Sequence, residues 1–109
     1  MTNPLVQEVK AGLAAGKIAP YLGPGVLTLD GPTTFPESTR SLVERINAKI
    51  AVPGRIRTNL WSSAQWIESN KHRVTLVRLM QELFHGEPQP TRLHRWLAGL
   101  GLPLIVDEW

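Results

Sequence analysis

Apolar residues recur every three or four positions through most of the chain, the spacing of helices that bury one face. The first such stripe begins after Asn3–Pro4 and is made up of Leu5, Val9 and Leu13. Asn caps helix N-termini, Pro is favoured in the first turn, and Gly16 lies where a helix would end. The pattern therefore predicts a helix between Asn3 and Gly16.

Four more helices follow from the same spacing. Their apolar stripes are, in chain order, Leu42, Val43, Ile46 and Ile50; Leu60, Ala64 and Ile67; Val74, Val77, Met80, Leu83 and Phe84; and Leu93, Trp96, Leu97 and Leu100. The expected caps are Ser38 or Thr39, Thr58 or Asn59, and Pro90 or Thr91. We expect the first three of these helices to end at Pro53–Gly54, Ser69–Asn70 and Gly86.

Two short segments have the composition of strands, Lys17–Leu22 and Pro103–Val106, and the second is expected to be buried. Because a long helical stretch separates them, they are predicted to pair in parallel through a largely helical crossover. The predicted fold class is therefore α/β. Two strands alone do not make a stable sheet, so we expect a protein partner or a second copy to cover the open edge.

Composition excludes several classes of protein. The 109 residues contain no cysteine, which removes disulfide scaffolds, thiolate zinc sites and cysteine nucleophiles. A net charge of +3 is below that of a dedicated nucleic-acid binder, so nucleic acid is not expected as a partner. No apolar run approaches the length of a membrane span and no signal peptide is visible, so we expect a cytoplasmic protein that does not enter membranes.

The strongest local feature is the turn Gly23–Pro24–Gly25, which follows the first predicted strand. Glycines at such a turn let the backbone approach a pyrophosphate closely, and the N–H groups of the turn can donate to it. The full G-x-G-x-x-G pattern is absent, however, and a tight turn that only reverses the chain explains the same residues. Both interpretations stay open on the turn alone.

Four segments together resemble the sirtuin-like NAD-binding domains of bacteria. Tyr21–Val26 resembles the glycine turn that opens these domains, and Ala64–Glu68 is similar to their Ala-Gln-Tyr-Ile-Glu helix. Pro90–Ala98 resembles their Pro-Thr-Xaa-Leu-His helix, and Pro103–Val106 the strand just after it. The order and spacing of the four match. The resemblance implies the N-terminal part of a sirtuin-like Rossmann-type domain, a single domain over residues 1–109 that is incomplete at its C-terminus.

The resemblance implies a cofactor, NAD or ADP-ribose, at the glycine turn, and it places Gly23, Pro24, Gly25 and Val26 beside the dinucleotide. It implies no metal, because the zinc-binding cysteines of deacetylase sirtuins are absent. A divergent subgroup found in nitrogen-fixing bacteria is also similar, since it too has Pro where most members have Ala and has lost the catalytic Asn.

The chain departs from the family pattern at the positions that carry chemistry. Pro24 has no N–H to offer a phosphate, and Leu27 replaces a serine hydroxyl. By spacing, Trp109 falls where the family has the Asn that orders the nicotinamide ribose and the attacking water. The family's catalytic His lies beyond that point. As given, the chain is therefore not expected to be an enzyme, and no catalytic residue is assigned.

Several other side chains have the chemistry or the position to contribute to a site. His94 is expected to be structural, with its ring donating to a backbone carbonyl. Arg55 and Arg57, in a flexible connector, are the individual choices for phosphate contact. Asp107 and Glu108 should point to opposite sides of a strand, which argues against an acid–base pair. Leu60 and Trp61 are adjacent, so only one of them can be fully buried.

Three hypotheses of function follow. The first is an NAD or ADP-ribose binding module without catalysis. The second is an interaction protein that keeps only the scaffold and binds another protein. The third is a fragment of a longer sirtuin-like NAD glycohydrolase.

Overall fold

The computed structural model describes residues 3–109 as a mixed α/β chain that is mostly helical and has two short parallel strands. The elements are, in order, α1 (Pro4–Ala14), β1 (Tyr21–Leu22), a 3-10 turn (Val26–Thr28), α2 (Thr39–Lys49), a second 3-10 turn (Gly54–Ile56), α3 (Leu60–Lys71), α4 (Arg73–Leu83), α5 (Arg92–Gly99) and β2 (Val106–Asp107). They form two compact units. Unit 1 joins the segment up to Gly31 with Pro90–Trp109, and unit 2 is Pro32–Gln89.

Unit 1 begins with α1, whose predicted start is confirmed. Asn3 Oδ1 accepts from the Leu5 N–H at 2.9 Å, and Pro4 is the first helical residue. The helix ends before Gly16, which has a φ of +72° that few other residues adopt. On α1, a Cβ at Gly12 would overlap the side chain of Ile18, so glycine is needed there for close packing.

The two strands pair in parallel, as predicted, with Tyr21 opposite Val106 and Leu22 opposite Asp107. The Val106 N–H donates to the Pro20 carbonyl and the Glu108 N–H to the Leu22 carbonyl, both at 2.9 Å. Only this pair is present among the described residues. The helical crossover between the strands is therefore confirmed as well.

The predicted extent of both strands was wrong. The first is reduced from Lys17–Leu22 to Tyr21–Leu22, and the second is displaced from Pro103–Val106 to Val106–Asp107. β2 is also exposed rather than buried. The cause is the same in both: a strand with one neighbour has few backbone partners, and proline cannot donate to a ladder. Regular pairing accordingly begins only after Pro20 and after Pro103.

Unit 2 is a helical layer in which α3 packs against both α2 and α4. Its core is the buried cluster Leu42, Ile46, Ile67 and Leu79. Two polar side chains fix the starts of the helices. Ser38 Oγ accepts from the Ser41 N–H at 3.1 Å, and Asn59 Oδ1 from the Ser62 N–H at 2.9 Å. Of the two caps predicted for each helix, Ser38 rather than Thr39 caps α2, and Asn59 rather than Thr58 caps α3.

The predicted break at Ser69–Asn70 was wrong, since α3 continues to Lys71. The Asn70 side chain does not compete with the helix; its Nδ2 donates to the Trp66 carbonyl one turn earlier, at 2.8 Å. The chain bends instead at His72, which adopts a φ of +83° between α3 and α4. An uncommon backbone conformation, which a sequence pattern does not reveal, ends this helix.

The other predicted helix ends also move. α2 ends at Lys49, before Pro53–Gly54.

On α4 the buried residue is Leu79, whereas Val74 and Val77 are exposed. Met80 and Leu83 pack against the core as the stripe predicted, and Leu76 joins them, so the packing face coincides only in part with the predicted one.

Candidate functional site

The glycine turn lies directly after β1, and its geometry leaves it open. Gly25 has a φ of +95°, which requires glycine on conformational grounds. Gly23 does not have a positive φ, and a Cβ built on it would meet nothing within 4 Å. Neither backbone conformation nor internal packing accounts for Gly23. Close approach of a ligand would.

Backbone donors are present at the turn. Within the described chain, the N–H groups of Gly25 and Val26 donate to no protein acceptor. The Gly25 carbonyl, by contrast, is occupied, because the Thr28 N–H and hydroxyl both donate to it, at 3.1 and 3.0 Å. Successive free N–H groups in a glycine-containing turn form a concavity that favours anions. Pro24 adds no donor to this set.

His94 lies close to this turn and its ring is fixed by a helix cap. At the start of α5 the His94 N–H donates to Thr91 Oγ1 at 3.3 Å, and the Thr91 N–H donates to His94 Nδ1 at 3.1 Å. Because that buried N–H needs an acceptor, Nδ1 carries the lone pair and the neutral ring carries its proton on Nε2. At Nδ1 the ring therefore accepts from the backbone and does not donate to a carbonyl.

A small cleft brings these groups together. It is lined by Gly23, Gly25, Val26, Leu27, His94, Asp107 and Trp109. Three of the four residues predicted to contact a cofactor thus share one cleft, and Pro24 is not among its lining residues. The volume is about 20 Å³, comparable to one water molecule. A dinucleotide site has several hundred Å³, so Leu27 or Trp109 has to move before a ligand of that size fits.

The two acidic residues at the end of β2 take separate partners. The Asp107 carboxylate accepts from the Trp109 N–H at 2.9 Å, while Glu108 Oε2 accepts from the Tyr21 hydroxyl at 3.0 Å. The two carboxylates therefore do not act on one group.

Sequence reasoning missed two contributions to this region. Asp30 accepts from both the backbone and the side chain of Arg92 at the start of α5. Tyr21 was not singled out, yet its hydroxyl bonds to Glu108. No local signal reveals either pair, because both partners are distant along the chain.

The two arginines chosen for phosphate contact behave differently. Both lie in unit 2, where Gly54–Ile56 forms a 3-10 turn rather than a flexible connector. Arg57 lines a groove beside α2, and Arg55 does not.

No family model, curated protein or solved structure matches the chain, so the resemblance to sirtuin-like domains stays a prediction from its own motifs. Among residues 3–109, no group of three or more His, Cys, Asp and Glu side chains is arranged to hold a metal ion. In the same range, no helix combines the length and the hydrophobicity that a membrane span requires.

Proposed function

We propose that the chain binds ADP-ribose, alone or as part of NAD, at the glycine turn. The observation that carries the proposal is Gly23, a glycine with an ordinary φ and open space where its side chain would be. The free N–H groups of Gly25 and Val26 support a diphosphate at the same place. His94 Nε2–H is a further donor on a residue that lines the cleft.

The proposed activity is binding without cleavage. The carboxylates of Asp107 and Glu108, at the end of β2, are engaged by the Trp109 N–H and by the Tyr21 hydroxyl, and no described histidine other than His94 lines the cleft. Since His94 Nδ1 accepts from Thr91, the ring offers the ligand a hydrogen bond from Nε2–H and has no free nitrogen lone pair to accept a proton. The chain's own residues therefore bind and orient the ligand.

Calorimetric titration of the folded chain with ADP-ribose tests the proposal. We expect saturable binding with a dissociation constant below about 1 mM. Gly23→Val should abolish it, because a side chain at that position enters the space of the pyrophosphate without straining the backbone. Gly54→Val is the matched control, since Gly54 also lacks a positive φ and has nothing within 4 Å of its Cβ position, but lies in unit 2.

Two results would contradict the proposal. A folded wild-type chain that gives no saturable heat would mean that the glycine turn has only a conformational role. Equal binding by wild type and Gly23→Val would mean that the ligand binds elsewhere.

A second candidate function, the docking of another protein, is favoured by the apolar surface of unit 1. Leu5 is 64% exposed and Leu104 57% exposed, and Val6, Val9 and Ile105 are also exposed. Within the described chain each strand of the sheet has one neighbour, so two strand edges are open. Sedimentation velocity tests a second copy as the occupant: mass that rises with concentration, and falls for Leu5→Glu, supports self-association, whereas a monomer at all concentrations contradicts it.

A further inference from the structure

Unit 2 holds a much larger concavity, here called the α2 groove, that shares no residue with the cleft at the glycine turn. One wall is α2, contributing Arg40, Val43, Glu44, Asn47 and Ala48, and the other is the segment before α3, which contributes Arg57. Its volume is about 740 Å³. That is within the range of sites that hold small organic molecules.

Asn47 joins the two walls of the α2 groove. It is only 8% exposed, and its Nδ2 donates to the Val43 and Arg57 carbonyls, both at 2.8 Å. The need to donate to two carbonyls fixes which side-chain atom is nitrogen. Arg57 is thereby held by its backbone against α2, so its position at the groove does not depend on a flexible connector.

The same residue leaves an acceptor unmatched. Asn47 Oδ1 is buried and has no hydrogen-bond partner in the described chain. Buried polar atoms are nearly always paired, so an unpaired one at a groove wall calls for an explanation. Because the atom itself is inaccessible, a donor reaches it only when the groove wall moves.

Among the charged residues that line the α2 groove, one cation makes no ion pair within the described chain. Arg40 and Glu44 pair with each other along α2, with Nε and Oε1 3.3 Å apart. Arg57 makes no ion pair with any described residue. The backbone of Arg57 is held against α2, and its guanidinium can offer two parallel donors to a carboxylate or a phosphate.

The rest of the groove surface is mainly apolar. Val43 is almost fully buried beneath it, and Ala48 lies on its exposed side. An inorganic anion would use only the polar part of the groove and would leave its apolar surface in water. A molecule with both an apolar body and one anionic group would use all of it.

We propose that the α2 groove is a second binding site, for a small organic anion with an apolar body. The anionic group pairs with the Arg57 guanidinium, and the apolar body lies against Ala48 and the aliphatic parts of the other side chains that line the groove. The site is independent of the glycine turn, so it stands or falls separately from the binding of ADP-ribose.

Nitrogen–proton correlation spectra of the whole chain, titrated with phenyl phosphate, test this proposal. We expect saturable shifts of the amides of Thr39–Ala48 and of Arg57 and Thr58, with a dissociation constant near or below about 1 mM. Benzoate should give the same map, because the shared chemistry is an anion on an apolar ring. Benzyl alcohol lacks the anionic group and inorganic phosphate lacks the apolar ring. Each should therefore bind at least about tenfold more weakly than phenyl phosphate.

Two matched variants identify the role of Arg57. Arg57→Gln should weaken phenyl phosphate by about tenfold, the effect of losing one charge-assisted hydrogen bond. Arg55→Gln makes the same change in net charge two residues away, outside the groove, and should leave binding unchanged. The spectra themselves report whether each variant is folded.

Three outcomes would overturn the proposal. One is the absence of saturation with wild type. Another is an equal effect of Arg55→Gln and Arg57→Gln, which would show attraction by net charge alone. The third is a shift map confined to the neighbouring concavity lined by Lys49, Trp66 and Lys71.

Discussion

The carboxylate of Asp30 accepts two hydrogen bonds from Arg92, one from the backbone N–H at 2.7 Å and one from Nε at 2.9 Å. The two residues are 62 positions apart in the chain. Arg92 is the first residue of α5, where free N–H groups and the helix dipole favour a negative charge. The pair therefore ties the loop after the glycine turn to the helix that carries His94.

This pair makes the stability of unit 1 depend on pH in the acidic range. The bonds from Arg92, the backbone one first, lower the pKa of Asp30 from its ordinary value. The stabilisation is thus complete above the unfolded-state pKa of about 3.9 and is lost as the pH falls through the folded-state value. We expect Asp30→Asn to unfold at lower urea than wild type at pH 7, with the difference shrinking below about pH 4.

Glu87→Gln is the control for Asp30→Asn, because Glu87 makes no ion pair with any described residue. It should leave the urea midpoint unchanged at both pH values. A difference between Asp30→Asn and wild type that is the same at pH 3 and pH 7 would contradict the linkage.

Tyr21 gives a second, spectroscopic prediction, since it is the only tyrosine. Its hydroxyl donates to Glu108, and this bond, followed by the negative charge of Glu108, raises the pKa of Tyr21. We expect the midpoint at which tyrosinate absorbance develops to lie above the ordinary value of about pH 10 for a free tyrosine. Because the folded pKa is raised, the contact stabilises the fold below that pH and is lost as the pH rises through the folded-state value.

Glu108→Gln separates the contact from other causes of the Tyr21 shift. It removes the charge and should bring the tyrosine midpoint back toward its ordinary value. Identical midpoints in Glu108→Gln and wild type would show that the Tyr21–Glu108 bond is absent in solution.

The core of unit 2 predicts the cost of substitutions at two positions on α3, one buried and one exposed. Ile67 is fully buried, so Ile67→Val should lower the free energy of unfolding by about 1 kcal/mol and Ile67→Ala by about 2–5 kcal/mol. Trp61 is 79% exposed, so Trp61→Ala should change the free energy of unfolding by less than about 0.5 kcal/mol. Urea unfolding measures both. A large loss for Trp61→Ala would mean that this side chain is covered in solution.

His72 predicts a stabilising substitution. Its φ of +83° and ψ of 146° lie near a region that only glycine adopts without strain. His72→Gly should therefore raise the free energy of unfolding by about 1 kcal/mol, after the greater flexibility of glycine in the unfolded chain is subtracted. Ser69→Gly, inside α3, is the matched control and should lower it by about 0.5 kcal/mol, because serine is itself a weaker helix former than alanine. Loss of stability in both variants would contradict the strained conformation.

The sequence alone predicted the helices and the parallel strand order, and it singled out the glycine turn as a candidate site, which stays a prediction. These features depend on contacts within a few residues: Asn3, Ser38, Asn59 and Thr91 cap their helices through side chains that reach only two or three positions ahead. Parallel pairing followed from the long helical connection. Gly23, Gly25 and Val26 could be chosen because a glycine turn after a strand is a local pattern.

Only the tertiary structure decided how far each strand extends, which of Leu60 and Trp61 is buried, and what surrounds the glycine turn. Leu60 packs on the core while Trp61 is exposed, a choice that depends on where α2 and α4 lie. The Tyr21–Glu108 bond joins residues 87 positions apart. Periodicity describes one element at a time. The strand limits, the buried face and the cleft are set by free energies of contact between elements that no local pattern contains.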